Sequence, residues 1–184
     1  LVYVNRVGGQ DELVFDGASL AFDAEGRLLA RAAQFAEELL FVDLDVPPVY
    51  RKRLLDPRGR ATQAPLPVVA VSESSTARNA EPRRGLVAPL LEPRAELYEA
   101  LVLGTRDYVQ KNGFTDVVIG LSGGIDSALV ACVAVDALGA DRVHGVSMPS
   151  RYSSEGSIAD AQLLADALGI DLRTIPIEPA FTAY

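Results

Sequence analysis

The chain has 184 residues, with 17 Lys and Arg against 25 Asp and Glu, a net charge of −8 at neutral pH, and 49% hydrophobic residues. That hydrophobic content suits globular packing, the acidic balance argues against a nucleic-acid-binding surface, which is ordinarily basic, and no uninterrupted apolar run approaches the roughly 18 residues of a membrane span. The one cysteine, Cys132, has no internal disulfide partner and no signal peptide is visible, so a reducing cytoplasm is the expected compartment.

Residues 1–46 are β-rich with tight turns. Leu1-Val2-Tyr3-Val4 is expected as a buried strand. Glu12-Leu13-Val14-Phe15 and Ser19-Leu20-Ala21-Phe22 alternate as half-buried strands do, Glu25-Gly26 marks a turn, and Phe41-Val42-Asp43-Leu44 is expected as a last strand. Residues 56–92 are rich in Pro, Arg, Ser and Gly, as in Asp56-Pro57-Arg58-Gly59-Arg60 and Glu81-Pro82-Arg83-Arg84-Gly85, and are expected to be a linker. Within it Val68-Val69-Ala70-Val71 is apolar enough for a short strand. Arg51-Lys52-Arg53 and Arg83-Arg84 are either solvated spacer or anchors for a neighbouring domain or subunit.

Residues 93–112 are expected as an amphipathic helix: Pro93 suits a first turn, Leu97, Leu101, Tyr108 and Val109 fall on one face, and Asn112-Gly113 supplies the stop. A strand over 116–121 and a helix over 127–138 follow, the helix apolar on nearly every side and therefore expected to be buried. Cys132, inside it and without a nearby base, reads as a small buried hydrophobe. Residues 142–148 form a second expected strand, in which His144 is expected to be buried and structural. A helix over 158–168, capped by Ser157 with Asp160, and a strand over 172–177 complete the series, with turns at Gly139 and Gly169. Strand-helix-strand-helix-strand is half of a doubly wound parallel sheet, where ligands bind beyond the carboxyl ends of the strands.

Ser122-Gly123-Gly124-Ile125-Asp126-Ser127 lies at such an end. Two glycines admit a close anion, the first-turn amides of a helix lack intrahelical partners, and two serines add donors, so the loop is suited to phosphate. It has neither the lysine of GxxxxGK[ST] nor the spacing of GxGxxG. Its only ionisable group, Asp126, would repel a polyphosphate unless a divalent cation lay between them. Magnesium, which takes one or two protein carboxylates with phosphate oxygens and waters, fits that position. The alternative, that Asp126 only counters the helix dipole, is equal on Asp126 alone; the Ser-Gly-Gly donors before it favour the metal.

Gly120-Leu121-Ser122-Gly123-Gly124-Ile125-Asp126-Ser127 resembles the SGGxDS loop of the N-type ATP pyrophosphatases, whose fold is adenine nucleotide alpha hydrolase-like. The resemblance implies that Gly120, Leu121, Ser122, Gly123, Gly124, Ile125, Asp126 and Ser127 bind ATP. Backbone amides and the Ser122 and Ser127 hydroxyls would cradle the β- and γ-phosphates, with Asp126 on magnesium, while a substrate group attacks the α-phosphorus. None of these side chains is expected to be an acid, base or nucleophile. Met148-Pro149-Ser150-Arg151-Tyr152-Ser153-Ser154 looks like the segment after the second strand of NAD synthetases, which makes Ser147, Met148, Arg151 and the segment's serines, Ser150, Ser153 and Ser154, candidate nucleotide contacts; locally it is equally an ordinary strand-to-helix connection.

Upstream, Tyr3-Val4-Asn5-Arg6-Val7-Gly8-Gly9-Gln10-Asp11-Glu12-Leu13-Val14-Phe15-Asp16-Gly17 resembles a stretch of the glutaminase domain of glutamine-dependent NAD synthetases. Asp23-Ala24-Glu25-Gly26-Arg27-Leu28-Leu29-Ala30, Glu37-Glu38 and Val42-Asp43-Leu44 are similar to the closing part of a nitrilase-type domain. Together these imply an α/β protein: the β-rich C-terminal end of a nitrilase-like α/β sandwich (residues 1–55), a linker (56–92), and the opening part of a synthetase domain with a partial doubly wound parallel sheet (93–184). The implied reaction is amidation of nicotinate adenine dinucleotide to NAD through an adenylylated intermediate, with Mg2+ as cofactor and ammonia drawn from glutamine. The implied partners are ATP, nicotinate adenine dinucleotide and glutamine or ammonia, without nucleic acid or membrane, in a full-length homo-oligomer. The Glu-Lys-Cys triad and a second magnesium carboxylate are expected outside these residues, so the chain alone is expected to be inactive. The rivals are another SGGxDS adenylylating amidotransferase, or a non-catalytic interaction fragment.

Overall fold

A computed structural model describes residues 1–55, 67, 69–70, 83 and 85–183. Val68 and Val71 of the expected short strand, and most of the expected linker, lie outside the described residues. In chain order the elements are β1 (Val2–Tyr3), β2 (Val7–Gln10), β3 (Leu13–Asp16), β4 (Leu20–Phe22), β5 (Leu28–Arg31), α1 (Pro47–Leu55), α2 (Pro93–Lys111), β6 (Val117–Gly120), α3 (Ile125–Leu138), β7 (Val143–Ser147), α4 (Glu155–Leu168), β8 (Asp171–Thr174) and α5 (Glu178–Ala183). The chain divides into two compact units, one of Leu1–Asn5 and Gly17–Leu90, the other of Arg6–Asp16 and Leu91–Tyr184.

In the first unit β1, β4 and β5 form an antiparallel sheet in that order, with Tyr3 opposite Leu20 and Ala21 opposite Ala30. The expected turn joins β4 to β5: both Glu25 N–H and Arg27 N–H donate to Asp23 Oδ1 at 2.9 Å, and Gly26 takes φ +84. The buried hydrophobic residues of this unit among those described are Ala21, Ala30, Ala32 and Ala88. Alanine brings little apolar area out of water, so this core is slight.

Two expectations change here. Leu1-Val2-Tyr3-Val4 is an exposed edge, not a buried strand, with Leu1 and Val4 about four-fifths accessible. Phe41-Val42-Asp43-Leu44 is not a strand; residues 86–88 run beside β5 instead, with Arg31 N–H donating to Leu86 O and Ala88 N–H to Arg31 O. Arg51-Lys52-Arg53 falls on α1, which opens on Pro47-Pro48, and Lys52 Nζ donates to Ala24 O in the β4–β5 turn.

The second unit has the larger core. β6, β7 and β8 form a parallel sheet in sequential order, with Val117 opposite Val143 and His144 opposite Asp171. Its buried cluster joins Val102 and Val109 of α2, Leu121, the Ala131, Val133, Ala134, Ala137 and Leu138 face of α3, Val143, and Ala161 and Ala165 of α4. Around that cluster Leu101, Val118, Leu129 and Val130 stay half exposed or more. α3 is accordingly one-sided: Leu129 and Val130 are half exposed, so its all-round apolar sequence does not mean all-round burial here. The cap of α4 is Ser154, whose Oγ accepts from Ser157 N–H at 3.0 Å, in place of Ser157 with Asp160.

α2 runs as expected and stops at Asn112, whose Nδ2 donates to Tyr108 O at 2.7 Å. Its buried residues are Val102, Leu103 and Val109, while Leu97, Leu101 and Tyr108 are mostly exposed. A single apolar stripe fails because the helix is gripped on two sides. One side meets α3; the other carries Gly104, against which the β2–β3 hairpin lies. Residues 6–16, expected to belong with the upstream domain, thus pack on the first helix of the second unit.

At the amino end of the sheet His144 is not buried but one-third exposed, bridging two carboxylates: Nε2 lies 3.2 Å from Asp116 Oδ1, and Nδ1 contacts Asp171 Oδ1. Hydrogen bonds to Asp171 and then Asp116 raise the imidazole above its ordinary 6.5. Both carboxyls sit below their ordinary 3.8, Asp171 through its His144 hydrogen bond and Asp116 through those of Thr115 and His144. A raised histidine stabilises the fold fully below the unfolded value and loses that effect as pH rises through the folded one; the lowered carboxylates lose theirs as pH falls through their folded values. Urea titrations above pH 6.5 are expected to show stability falling as pH rises, with the dependence reduced in His144→Asn. An equal pH slope in that variant would remove the bridge as its cause.

Candidate functional site

The Ser122–Ser127 loop leaves β6 at its carboxyl end, anchored by Leu121 N–H on Val146 O at 2.8 Å. Its shape needs glycine at one point. Gly123 has φ +77, and a Cβ there would sit 2.2 Å from Ser157 O, inside the first turn of α4. Gly124 is the N-cap of α3. The first intrahelical bond of α3 runs from Ala128 N–H to Gly124 O at 3.1 Å, so the amides of Ile125, Asp126 and Ser127 precede it and have no helical acceptor.

The two serine hydroxyls brace the loop from inside. Ser127 Oγ donates to Gly124 O at 2.9 Å and accepts from Ser122 N–H at 3.3 Å, and the two Oγ atoms lie 3.1 Å apart. Gly124 N–H donates to Ser122 Oγ at 3.3 Å. Both hydroxyls therefore sit within reach of the open first turn while holding its entry angle. Asp126 is exposed in that turn and makes no side-chain cap bond. Among the described residues no group of three or more His, Cys, Asp or Glu side chains is placed to hold a metal ion.

A cavity of about 200 Å3 opens next to the loop, between the carboxyl ends of β6 and β7 and the start of α4. Gly120, Leu121 and Ser122 line one side, Ser147 and Met148 another, and Pro149, Ser153, Ser157 and Ile158 close it. Five of the expected residues, Gly120, Leu121, Ser122, Ser147 and Met148, thus meet around one space. Gly123, Gly124, Ile125, Asp126 and Ser127 form the adjacent turn and are not part of that lining. Ser153, one of the segment's serines expected as contacts, is a sixth, whereas Ser150 and Ser154 are not in the lining; Ser157, expected only as part of a helix cap, was not singled out as a contact by sequence.

Arg151 is placed elsewhere. Its Nε donates to Glu178 Oε1 at 2.6 Å, its backbone N–H to Glu178 Oε2 at 3.1 Å, and its guanidinium also reaches Thr182 Oγ1. Those bonds hold the Glu178 carboxyl below its ordinary value and tie the segment after β7 to α5. Arg151 is thus committed to the last helix and does not line the cavity. Cys132 is half-buried within α3 and forms no disulfide.

A glycine-serine loop running from a parallel strand into an open helix N-terminus is an arrangement suited to a phosphate group in an α/β unit, and residues 97–184 match the model of the NAD synthase family. Over its whole length the chain is 50% identical to a glutamine-dependent NAD(+) synthetase of Aquifex aeolicus and 48% identical to one of Thermotoga maritima, covering 32% of each. A solved glutamine-dependent NAD+ synthetase of Acinetobacter baumannii, in complex with ADP, superposes with a TM-score of 0.74 at 38% identity, over 99% of this chain and 29% of that one. The chain is thus similar over its whole length to glutamine-dependent NAD(+) synthetases and spans about a third of the length of the relatives it matches.

Proposed function

We propose that the protein to which this chain belongs amidates nicotinate adenine dinucleotide to NAD, using ATP and ammonia released from glutamine, and that these residues supply the pyrophosphate cradle of the ATP site. The observation that carries this is the open first turn of α3 behind Ser122-Gly123-Gly124, at the carboxyl edge of a parallel sheet, in a chain whose whole length matches synthetases of that name. In this reading residues 1–55 close a nitrilase-like glutaminase domain, 56–92 link, and 93–184 begin an adenine nucleotide alpha hydrolase-like domain. The full-length enzyme is a cytoplasmic homo-oligomer.

The amides of Ile125, Asp126 and Ser127 and the hydroxyls of Ser122 and Ser127 take the β- and γ-phosphates. The cavity lined by Gly120, Leu121, Ser147 and Met148 receives the rest of the nucleotide. The substrate carboxylate then attacks the α-phosphorus, pyrophosphate leaves into the loop, and ammonia displaces AMP from the acyl-adenylate. Asp126 fits magnesium held by one protein carboxylate, phosphate oxygens and water, since it is exposed beside the cradle. When bound, such a metal would supply charge neutralisation at the pyrophosphate. With no acid or base in the loop, its own residues act by holding the leaving group in line and matching its charge. The test is the intact protein with nicotinate adenine dinucleotide, ATP, magnesium and ammonia. NAD, AMP and pyrophosphate are expected in equal amounts; absence of NAD, or ADP with phosphate as products, would overturn the proposal.

A further inference from the structure

Between β7 and α4 the chain makes a small turn shaped by its own serines. Ser153 N–H donates to Ser150 O at 3.0 Å, Ser150 N–H to Ser153 Oγ at 3.0 Å, and Tyr152 N–H to Ser150 Oγ at 3.3 Å. The cavity beside the loop is lined by Ser147, Met148 and Pro149 before this turn, by Ser153 within it, and by Ser157 and Ile158 after it. Most of the cavity wall thus belongs to one connection and its two ends. From Arg151 to Ser154 that connection is exposed, so burial does little to hold it in place.

What holds it comes from the chain after β8. Ile175 N–H donates to Ser147 O at 2.8 Å and Ile177 N–H to Pro149 O at 3.1 Å, so the chain leaving β8 runs beside the chain leaving β7. Glu178 then engages Arg151 with both carboxylate oxygens: Oε1 accepts from Nε at 2.6 Å and Oε2 from the backbone N–H at 3.1 Å. Thr182, one helical turn on, accepts from the same guanidinium at 3.4 Å and donates its hydroxyl to Glu178 O at 2.9 Å. A carboxylate that takes both the side chain and the main chain of one residue adds geometric specificity to charge. A pair this exposed contributes little to the stability of the whole unit, so its effect is local.

We propose that Arg151 and Glu178 are positioning residues for ATP: the contact between them holds the 150–153 turn, and with it the cavity wall from Ser147 to the start of α4, in the shape that receives the nucleotide. The inference rests on the functional reading above. Neither residue lines the cavity, so neither is needed once the nucleotide is in place. Without their contact the wall holds its binding shape for only a fraction of the time, and apparent affinity falls by that fraction. Saturating ATP restores the shape and, with it, the rate.

The experiment follows NAD formation by the intact protein from nicotinate adenine dinucleotide, ammonia and magnesium at varied ATP. The parent is compared with Glu178→Ala, Glu178→Gln, Arg151→Ala and the double alanine variant. Losing ordering worth about one hydrogen bond should raise the ATP KM of Glu178→Ala about threefold to tenfold, with kcat at saturating ATP unchanged. Glu178→Gln keeps one acceptor oxygen and should fall between that variant and the parent; it carries the comparison alone if Glu178→Ala does not fold. The double variant should match Glu178→Ala, since both residues act through one contact. A lower kcat at the parental ATP KM would make the contact merely structural and overturn the proposal, as would alanine effects that multiply. An active parent whose variants all keep its ATP KM overturns this proposal alone, whereas a parent that makes no NAD overturns the functional reading and this proposal with it.

Discussion

Asp126→Asn in the intact protein is expected to lower NAD formation from ammonia at least about a hundredfold while glutamine hydrolysis continues near its parental rate. Asparagine keeps the size of the side chain and removes only its charge. Asp126 makes no side-chain cap bond and projects from the first turn of α3, so its loss should not unfold the helix. The magnitude follows from the charge stabilisation a bound metal supplies, several kcal/mol, where each 1.36 kcal/mol is a factor of about ten in rate. The check is the rate of NAD formation across a magnesium titration, alongside glutamate release. A variant as active as the parent would exclude Asp126 as metal ligand and leave it as a dipole partner of α3.

Gly123→Ala should be the most damaging single methyl group in the loop. Two costs combine: a non-glycine residue in the left-handed region costs about 1–2 kcal/mol, and overpacking against neighbours that cannot yield costs about 1–3 kcal/mol. The neighbour is backbone, since the new Cβ would fall within 3 Å of Ser157 O, Cα and C. Relief requires shifting α4 from β6, which opens the cavity wall as well as destabilising the unit. Gly124→Ala is the contrast. At φ −92 its Cβ would meet only Ser122 Oγ, at 3.4 Å, so it should cost about 1 kcal/mol or less. Urea midpoints and ATP affinity of the two variants make the comparison, and equal effects would mean that the loop is not pressed against α4.

The parallel half of the fold was legible because local and global signals agree there. Val117–Gly120 and Val143–Ser147 are short apolar runs ended by glycine or proline, and Gly139 and Gly169 close their helices at positive φ. The loop was legible as a phosphate site because its glycines and serines have a use only at a helix N-terminus. The Arg151 ion pair was not legible for a reason sequence does not contain: its partner Glu178 lies on α5, a six-residue helix with too little periodicity to detect. His144 was assigned a buried role because Asp116 and Asp171 are distant in sequence and meet it only through parallel register. Phe41-Val42-Asp43-Leu44 shows the limit of a short apolar run as a strand signal, since the segment beside β5 is residues 86–88, far along the chain. Gly104 was the overlooked clue. A glycine amid good helix formers marks a place where another backbone comes close, but its partner, Gly9, lies outside any local window.

That partnership also bears on how the chain is made. Gly9 and Asp107 are 98 residues apart. A ribosome adding about 5–20 residues per second therefore releases the hairpin roughly 5–20 seconds before α2 exists to receive it. During that interval Val14 lacks Gly104 to lie against, and the glycines of β2 hold register poorly, since such strands are prone to slip. The hairpin is thus an early-emerging, late-folding element, and the time between its appearance and its docking is set by translation of the segment that separates it from α2.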